Sequence, residues 1–375
     1  MRLLKFELYK IFSQKMIYIT FLVLILFSSM YMVKFEKTDE QTKQFYKNWE
    51  GTLTSEKIQE AESANDQLMA KAEERIEEMK ANGTEGAFFS ESEAIKSGIY
   101  ENVAFIQRVH ETFNQRVQEL EGSTKYNAEL ERRMLESVDL YYFSYYKGPA
   151  EIIDYTGTFS FLVTGAMLLI GLSSIFTREY SSGMDNYILS SKKGRTALTW
   201  AKLGAALIYA LTVVAAWEAV NVISKLYMLG NLGWETPLQF VFKYYFSPYG
   251  LNMLEFHLIQ LGIHLSAAFG FATLILFISS VSKNSLLSFF ISGAIFSLPF
   301  MAVEMIQLKA WISDMVKFSY FYIMRVEFLF TQFKTLNLFG YPVLYPVAAV
   351  LWMGVLSMIL ASITFRVLRN KEVRM

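Results

Sequence analysis

Six stretches of about twenty mostly apolar residues dominate this sequence, at about 16–33, 152–177, 203–224, 255–279, 286–308 and 341–365. Each is long enough to cross a bilayer core of roughly 30 Å as a helix. The expected fold class is therefore an all-α polytopic membrane protein with six transmembrane helices. Composition agrees: 53% of residues are hydrophobic and only 19% are charged, against about a quarter charged in a soluble chain. A formal charge of zero argues against a nucleic-acid partner, which asks for a basic excess on one face. The chain has no cysteine, which excludes a disulfide scaffold, thiol catalysis and Cys-ligated zinc. Lys5, Lys10 and Lys15 precede the first stretch as they would a signal peptide. That stretch is too long for a cleaved apolar region and lacks a small-residue cleavage site, so it reads as an uncleaved signal anchor.

Orientation follows from the basic residues beside the spans. The N-terminal segment, the loop after the second span, the turn between the fourth and fifth, and the tail together hold 14 Lys/Arg against 4 Asp/Glu. These four regions alternate around six spans in a way that puts them all on one side. Both termini are then expected in the cytoplasm of a bacterial cell, with the spans in its plasma membrane. The opposite side holds residues 34–151, with 15 basic and 24 acidic side chains. The neutral average thus divides into a basic cytoplasmic face and an acidic exterior.

The exterior segment is predicted to be a helical hairpin lying between spans 1 and 2. Ile58, Ala61, Asn65, Leu68, Ala72, Ile76 and Met79 recur at helix spacing, as do Ile95, Ile99, Val103, Ile106, Val109, Phe113, Val117 and Leu120. Asn82–Gly86 reads as the break between them, and Ser90 with Glu93 has capping-box spacing. A third helix is expected around 127–146, returning to the membrane. The run Tyr141–Tyr146 suits an aromatic belt at headgroup level.

Two cytoplasmic elements stand out. Residues 1–15 form an amphipathic interface helix with Leu4, Leu8, Ile11 and Phe12 on one face and Glu7 and Lys10 mainly elsewhere; the alternative is a simple basic flank. Between 178 and 202 lies the one cytoplasmic loop with room for structure, and its Tyr187–Leu189 patch forms an apolar knob. A short helix with such a knob and a charged rim can dock into a groove on a cytosolic partner. Here the chain resembles the permease subunit of ABC transporters of the ABC-2 export superfamily. In that family a Glu, a Gly four later, a Leu, a basic turn and a Lys opening the third span mark the coupling loop. Glu179, Gly183, Leu189, Arg195 and Lys202 occupy those places, although the turn Ser190–Gly194 lacks the proline often found there. The remaining domains are span 1 at 16–33, span 2 at 152–177, spans 3 to 6 within 203–365, and a basic tail at 366–375.

No phosphate-binding loop of the form G-x-x-x-x-G-K-[ST] occurs, so the chain is not expected to be an enzyme. It should bind no cofactor of its own. The resemblance implies ATP and Mg on a separate ATPase subunit, and a second permease subunit, identical or related. The implied function is export of an amphipathic or peptide-like substrate. Glu218, His264 and Glu304 fall at membrane depth and are candidates for a substrate pathway, because intramembrane ionisable groups are costly. Their alternative is hydrogen bonding between neighbouring spans. Two other functional classes remain open: a membrane-anchored sensor or scaffold whose exterior hairpin binds a partner, and an intramembrane enzyme using His257, His264 and Glu218.

Overall fold

A computed structural model describes residues 2–31, 40–184, 194–306 and 308–371. The protein is mostly helical and membrane-embedded, with five helices long and apolar enough to cross a bilayer. It begins with α1 (Arg2–Phe12) and α2 (Lys15–Tyr31), which meet at a 57° bend. This bent pair supplies a further span if counted together.

A polar helical unit comes next: α3 (Glu40–Trp49), β1 (Gly51–Thr52), α4 (Ser55–Ala81), α5 (Glu91–Leu120), α6 (Ala128–Glu136) and β2 (Tyr142–Phe143). Asn65 bonds Ser97 while Arg75 bonds Glu93, so later residues of α4 meet earlier ones of α5 and the pair is antiparallel. Ile99, Val103, Ile106, Val109 and Phe113 are buried along α5, each contributing about 1.5–3 kcal/mol of burial. At the N-terminus of α5, Glu93 accepts from the Ser90 backbone N–H at 2.8 Å. The Arg75 guanidinium, and then Ser90, hold its carboxyl down at about 2.

The expected third helix over 127–146 is replaced by the nine residues of α6 and an extended return. Asp139 starts that return by accepting the Tyr141 N–H at 3.0 Å, a local bond that competes with helix. β2 then pairs antiparallel with β1, joining the two ends of the unit. The tyrosine run is consequently exposed only at its start, at Tyr141. Phe143, Tyr145 and Tyr146 are buried, with the Tyr46 ring 5.8 Å from Phe143 and 5.1 Å from Tyr145.

The membrane part contains α7 (Lys147–Thr158), α8 (Ser160–Leu172), α9 (Thr177–Ser181), α10 (Gly194–Leu229), α11 (Met253–Val281), α12 (Ser285–Met305), α13 (Ala310–Val316), α14 (Tyr320–Arg325) and α15 (Tyr345–Arg369). The apolar run expected as one span over 152–177 is broken at Phe159. There the Ser160 hydroxyl bonds back to the Thr156 carbonyl, a contact that bends helices. The run expected over 341–365 begins its helix only at Tyr345, because β3 (Thr335–Leu338) and β4 (Tyr341–Leu344) form a hairpin first. Pro346 lies in the first turn of α15, where its missing N–H costs nothing.

α8 and α11 are central and mostly buried, whereas α12 and α15 leave Phe290, Leu298, Val347 and Met358 exposed. An apolar exterior of this kind is what lipid solvates. α1, the start of α10 and the end of α15 share one end of the bundle, since Arg195 donates to the Arg369 carbonyl. The polar helical unit caps the other end, where the Tyr245 hydroxyl bonds Asn102 at 2.8 Å and Tyr126 reaches Thr335 at 2.8 Å.

Candidate functional site

The helical period of α1 carries its buried side. Positions 4, 7, 8 and 11 fall on one stripe, and Leu4, Leu8 and Phe12 pack against the core around buried Ile11. This face rests on α10: Leu4 lies over Gly204, and the Phe12 ring stands 5.7 Å from Tyr209. The inward stripe also includes Glu7, which is 1% exposed. The sequence pattern puts Glu7 mainly off this face; it lies inward because it meets a buried cation there.

That cation is Lys202, which is 0% exposed. Its ammonium has three protons and three acceptors: Glu7 Oε2 at 3.0 Å, Glu179 Oε1 at 2.8 Å and the Ile175 carbonyl at 2.7 Å. The half-buried Lys10 closes the set, donating to Glu7 Oε1 at 2.8 Å and Glu179 Oε1 at 2.9 Å. Two carboxylates and two ammonium groups thus form a formally neutral junction. A buried ion pair persists only where geometry and hydrogen bonding offset desolvation, and here each lysine touches both acids.

The junction ties three segments distant in sequence: α1 through Glu7 and Lys10, α9 through Glu179, and α10 through Lys202. Further contacts bind α9 to its surroundings. Arg178 donates to Gln14 at 3.3 Å, and the Tyr180 hydroxyl donates to the Ser280 carbonyl at the end of α11 at 2.9 Å. Lys371 lies over the Tyr180 ring at 3.0 Å. Gly183 follows α9 with φ +70°, the left-handed conformation that ends helices and favours glycine. Beside the junction is a cavity of about 430 Å³ walled by Phe6, Lys10, Ile11, Ile175, Arg178 and Met184. Tyr187 and Leu189, the expected apolar knob, lie outside the described residues.

The three intramembrane candidates are not brought together. Glu218 pairs with His257 at 2.9 Å, and Asn221 donates to both Glu218 and the Ile152 carbonyl. His264 is fully buried between α8, α10 and α14. Its Nδ1 lies 2.8 Å from the Met324 carbonyl, which accepts only, so Nδ1 carries the proton. Nε2 then accepts from the Thr164 hydroxyl at 2.8 Å, and that oxygen accepts the Trp217 indole N–H at 3.0 Å. This network satisfies a neutral imidazole. Glu304 is exposed on α12 and accepts from the Tyr322 hydroxyl at 3.1 Å.

A second charged group joins Lys243 to Asp154 at 2.7 Å and to Glu327 at 3.5 Å, with Arg325 also 3.5 Å from Glu327. Burial lowers the Lys243 pKa, but the Asp154 and Glu327 carboxylates outweigh it and hold the ammonium above its ordinary value. These residues come from α7, the loop before α11, the end of α14 and the segment after it, so no local spacing announces them. Glu7 did leave a signal, three residues after Leu4 and four before Ile11 on the apolar stripe.

Comparison with known proteins finds no matching family model, no matching curated protein and no matching solved structure.

Proposed function

We propose that this chain is the membrane-spanning subunit of an ATP-driven exporter, working with a separate ATPase in a bacterial plasma membrane. In this reading α2 is the first of six spans, both termini are cytoplasmic, and residues 40–146 stand outside. The observation that carries it is the junction of Glu7, Lys10, Glu179 and Lys202. It fastens the N-terminal helix and the opening of α10 to the short helix that the sequence resemblance assigns to ATPase coupling. A force applied to α9 is therefore delivered to two helices at once, and through Tyr180 to the end of α11. The cavity walled by Phe6, Ile11 and Met184 gives the ATPase an apolar seat beside these charges. ATP and Mg would be held by that partner, and a second permease subunit would complete the pathway for an amphipathic or peptide-like substrate.

A second reading, a sensor whose outer unit binds a partner, draws on a different observation. Phe113, Arg116, Leu135, Lys243, Tyr245 and Phe246 wall a cavity of about 580 Å³ between the polar unit and the membrane part, a size typical of ligand pockets.

Affinity purification of the full chain from its native membranes, followed by mass spectrometry, separates the two. The exporter reading expects a nucleotide-binding ATPase in stoichiometric amount. Recovery of the chain with other partners and no ATPase would reject it.

A further inference from the structure

A groove of about 620 Å³ runs between α10, α11 and α15 on the side of the bundle, walled by Trp200, Leu207, Phe269, Met353, Met358 and Phe365. Trp200 is 65% and Met358 64% exposed. Gly354 opens its wall, since an added Cβ there would meet nothing within 4 Å. The hydroxyls of Thr273, Ser357 and Ser362 bond back to carbonyls of their own helices at 2.6–2.7 Å. They ask nothing of an occupant, so the wall suits a hydrocarbon chain. From Gly354 to Phe365 the groove is about 16 Å long along α15. That matches the hydrocarbon depth of one leaflet, about 15 Å.

The end of the groove near the termini is cationic. Arg366 follows Ser362 by four residues and Arg369 follows Phe365 by four, so both continue the groove's stripe one turn further, and both are exposed. Arg195 comes to the same end by donating to the Arg369 carbonyl. No Asp or Glu occurs between 341 and 371, so α15 supplies no counter-charge of its own. Guanidinium groups bind phosphate with two parallel hydrogen bonds, and basic sites between membrane helices select anionic headgroups.

We propose that this groove is a binding site for an anionic phospholipid, with an acyl chain along α15 and the headgroup phosphate held by Arg366 and Arg369. The proposal rests on reading α10, α11 and α15 as membrane spans, and does not depend on the ATPase. It is tested by native mass spectrometry of the purified full chain in detergent, with equimolar dioleoyl phosphatidylglycerol and dioleoyl phosphatidylcholine. The wild type should retain phosphatidylglycerol at least about tenfold more than phosphatidylcholine. Arg366→Gln with Arg369→Gln should reduce phosphatidylglycerol retention roughly thirtyfold, and phosphatidylcholine, whose phosphate is offset by its own trimethylammonium, far less. Gly354→Phe fills the groove with the charges intact and should lose both lipids, which decides the matter if the arginine variant fails to fold. Equal retention of the two lipids by the wild type, or undiminished phosphatidylglycerol on folded variants, overturns the proposal. Because the chain has no cysteine, Met358→Cys gives a further check: efficient disulfide dimers in native membranes would show a second copy in the groove and overturn it as well.

Discussion

Lys202 Nζ lies 3.0 Å from Glu7 Oε2 across 195 positions of sequence. Both side chains are essentially inaccessible to water, so each charge needs opposite charge beside it, which the pair shares with Lys10 and Glu179. The pair fixes the N-terminal helix against the opening of α10, and Glu179 brings α9 into the same bond network.

Lys202→Met should destabilise the chain by about 3–5 kcal/mol, because it leaves Glu7 buried with Lys10 alone for compensation. Adding Glu7→Gln should recover part of that loss. Thermal unfolding in detergent of the two single variants and the double variant measures the coupling. Strict additivity would mean the two residues do not interact.

Gly183 should tolerate Asn better than Ala. The space around it is open, so the cost of Ala is the left-handed backbone alone, about 1–2 kcal/mol. Asn visits that region more readily. The order of melting temperatures should be Gly, then Asn, then Ala; equal values would show that α9 does not end there.

Glu93 offers a pH test on the polar unit. Its folded pKa of about 2 lies below the ordinary 4.5, so its contribution is fully present above about 4.5 and lost as pH falls through about 2. The melting temperature of Glu93→Gln should fall below that of wild type at neutral pH. The gap should close as the pH approaches 2, followed by circular dichroism of the full chain. A gap independent of pH would place the effect in packing instead.

His264→Leu should cost about 1–3 kcal/mol, since it leaves the Met324 carbonyl and the Thr164 hydroxyl buried with a bond missing. His264→Asn, which can still donate to one and accept from the other, should recover part of this in the same melting experiment. Equal stability of the Leu variant and wild type would contradict the network.

Long apolar runs were legible in the sequence because a run near twenty residues has few ways to be buried. The two antiparallel helices were legible for a related reason: Ala61, Ala72, Ile99 and Val103 repeat at a period only a helix brings to one face. The break at Phe159 was not, because 152–177 has the length and overall hydropathy of a single span, and the hydroxyls around the break, Thr156, Thr158 and Ser160, are tolerated inside spans as well. Nor was the burial of Tyr145 and Tyr146, since an aromatic run satisfies a headgroup belt and a protein core equally well. In the junction, Glu179 and Lys202 were singled out by a resemblance. Glu7 was not, although it sits on the apolar stripe, because the partner that it meets there comes from a distant segment.

In the proposed exporter, α9 passes work between an ATPase and the spans through Glu179. The most direct measurement is the hydrolysis rate of the co-purified ATPase, alone and with the full chain, comparing wild type with Glu179→Gln. That substitution keeps the side chain's size while removing the charge that both Lys10 and Lys202 contact. Wild type should change the ATPase rate, and the variant should still associate but leave the rate unchanged. An ATPase that responds identically to both chains would contradict it.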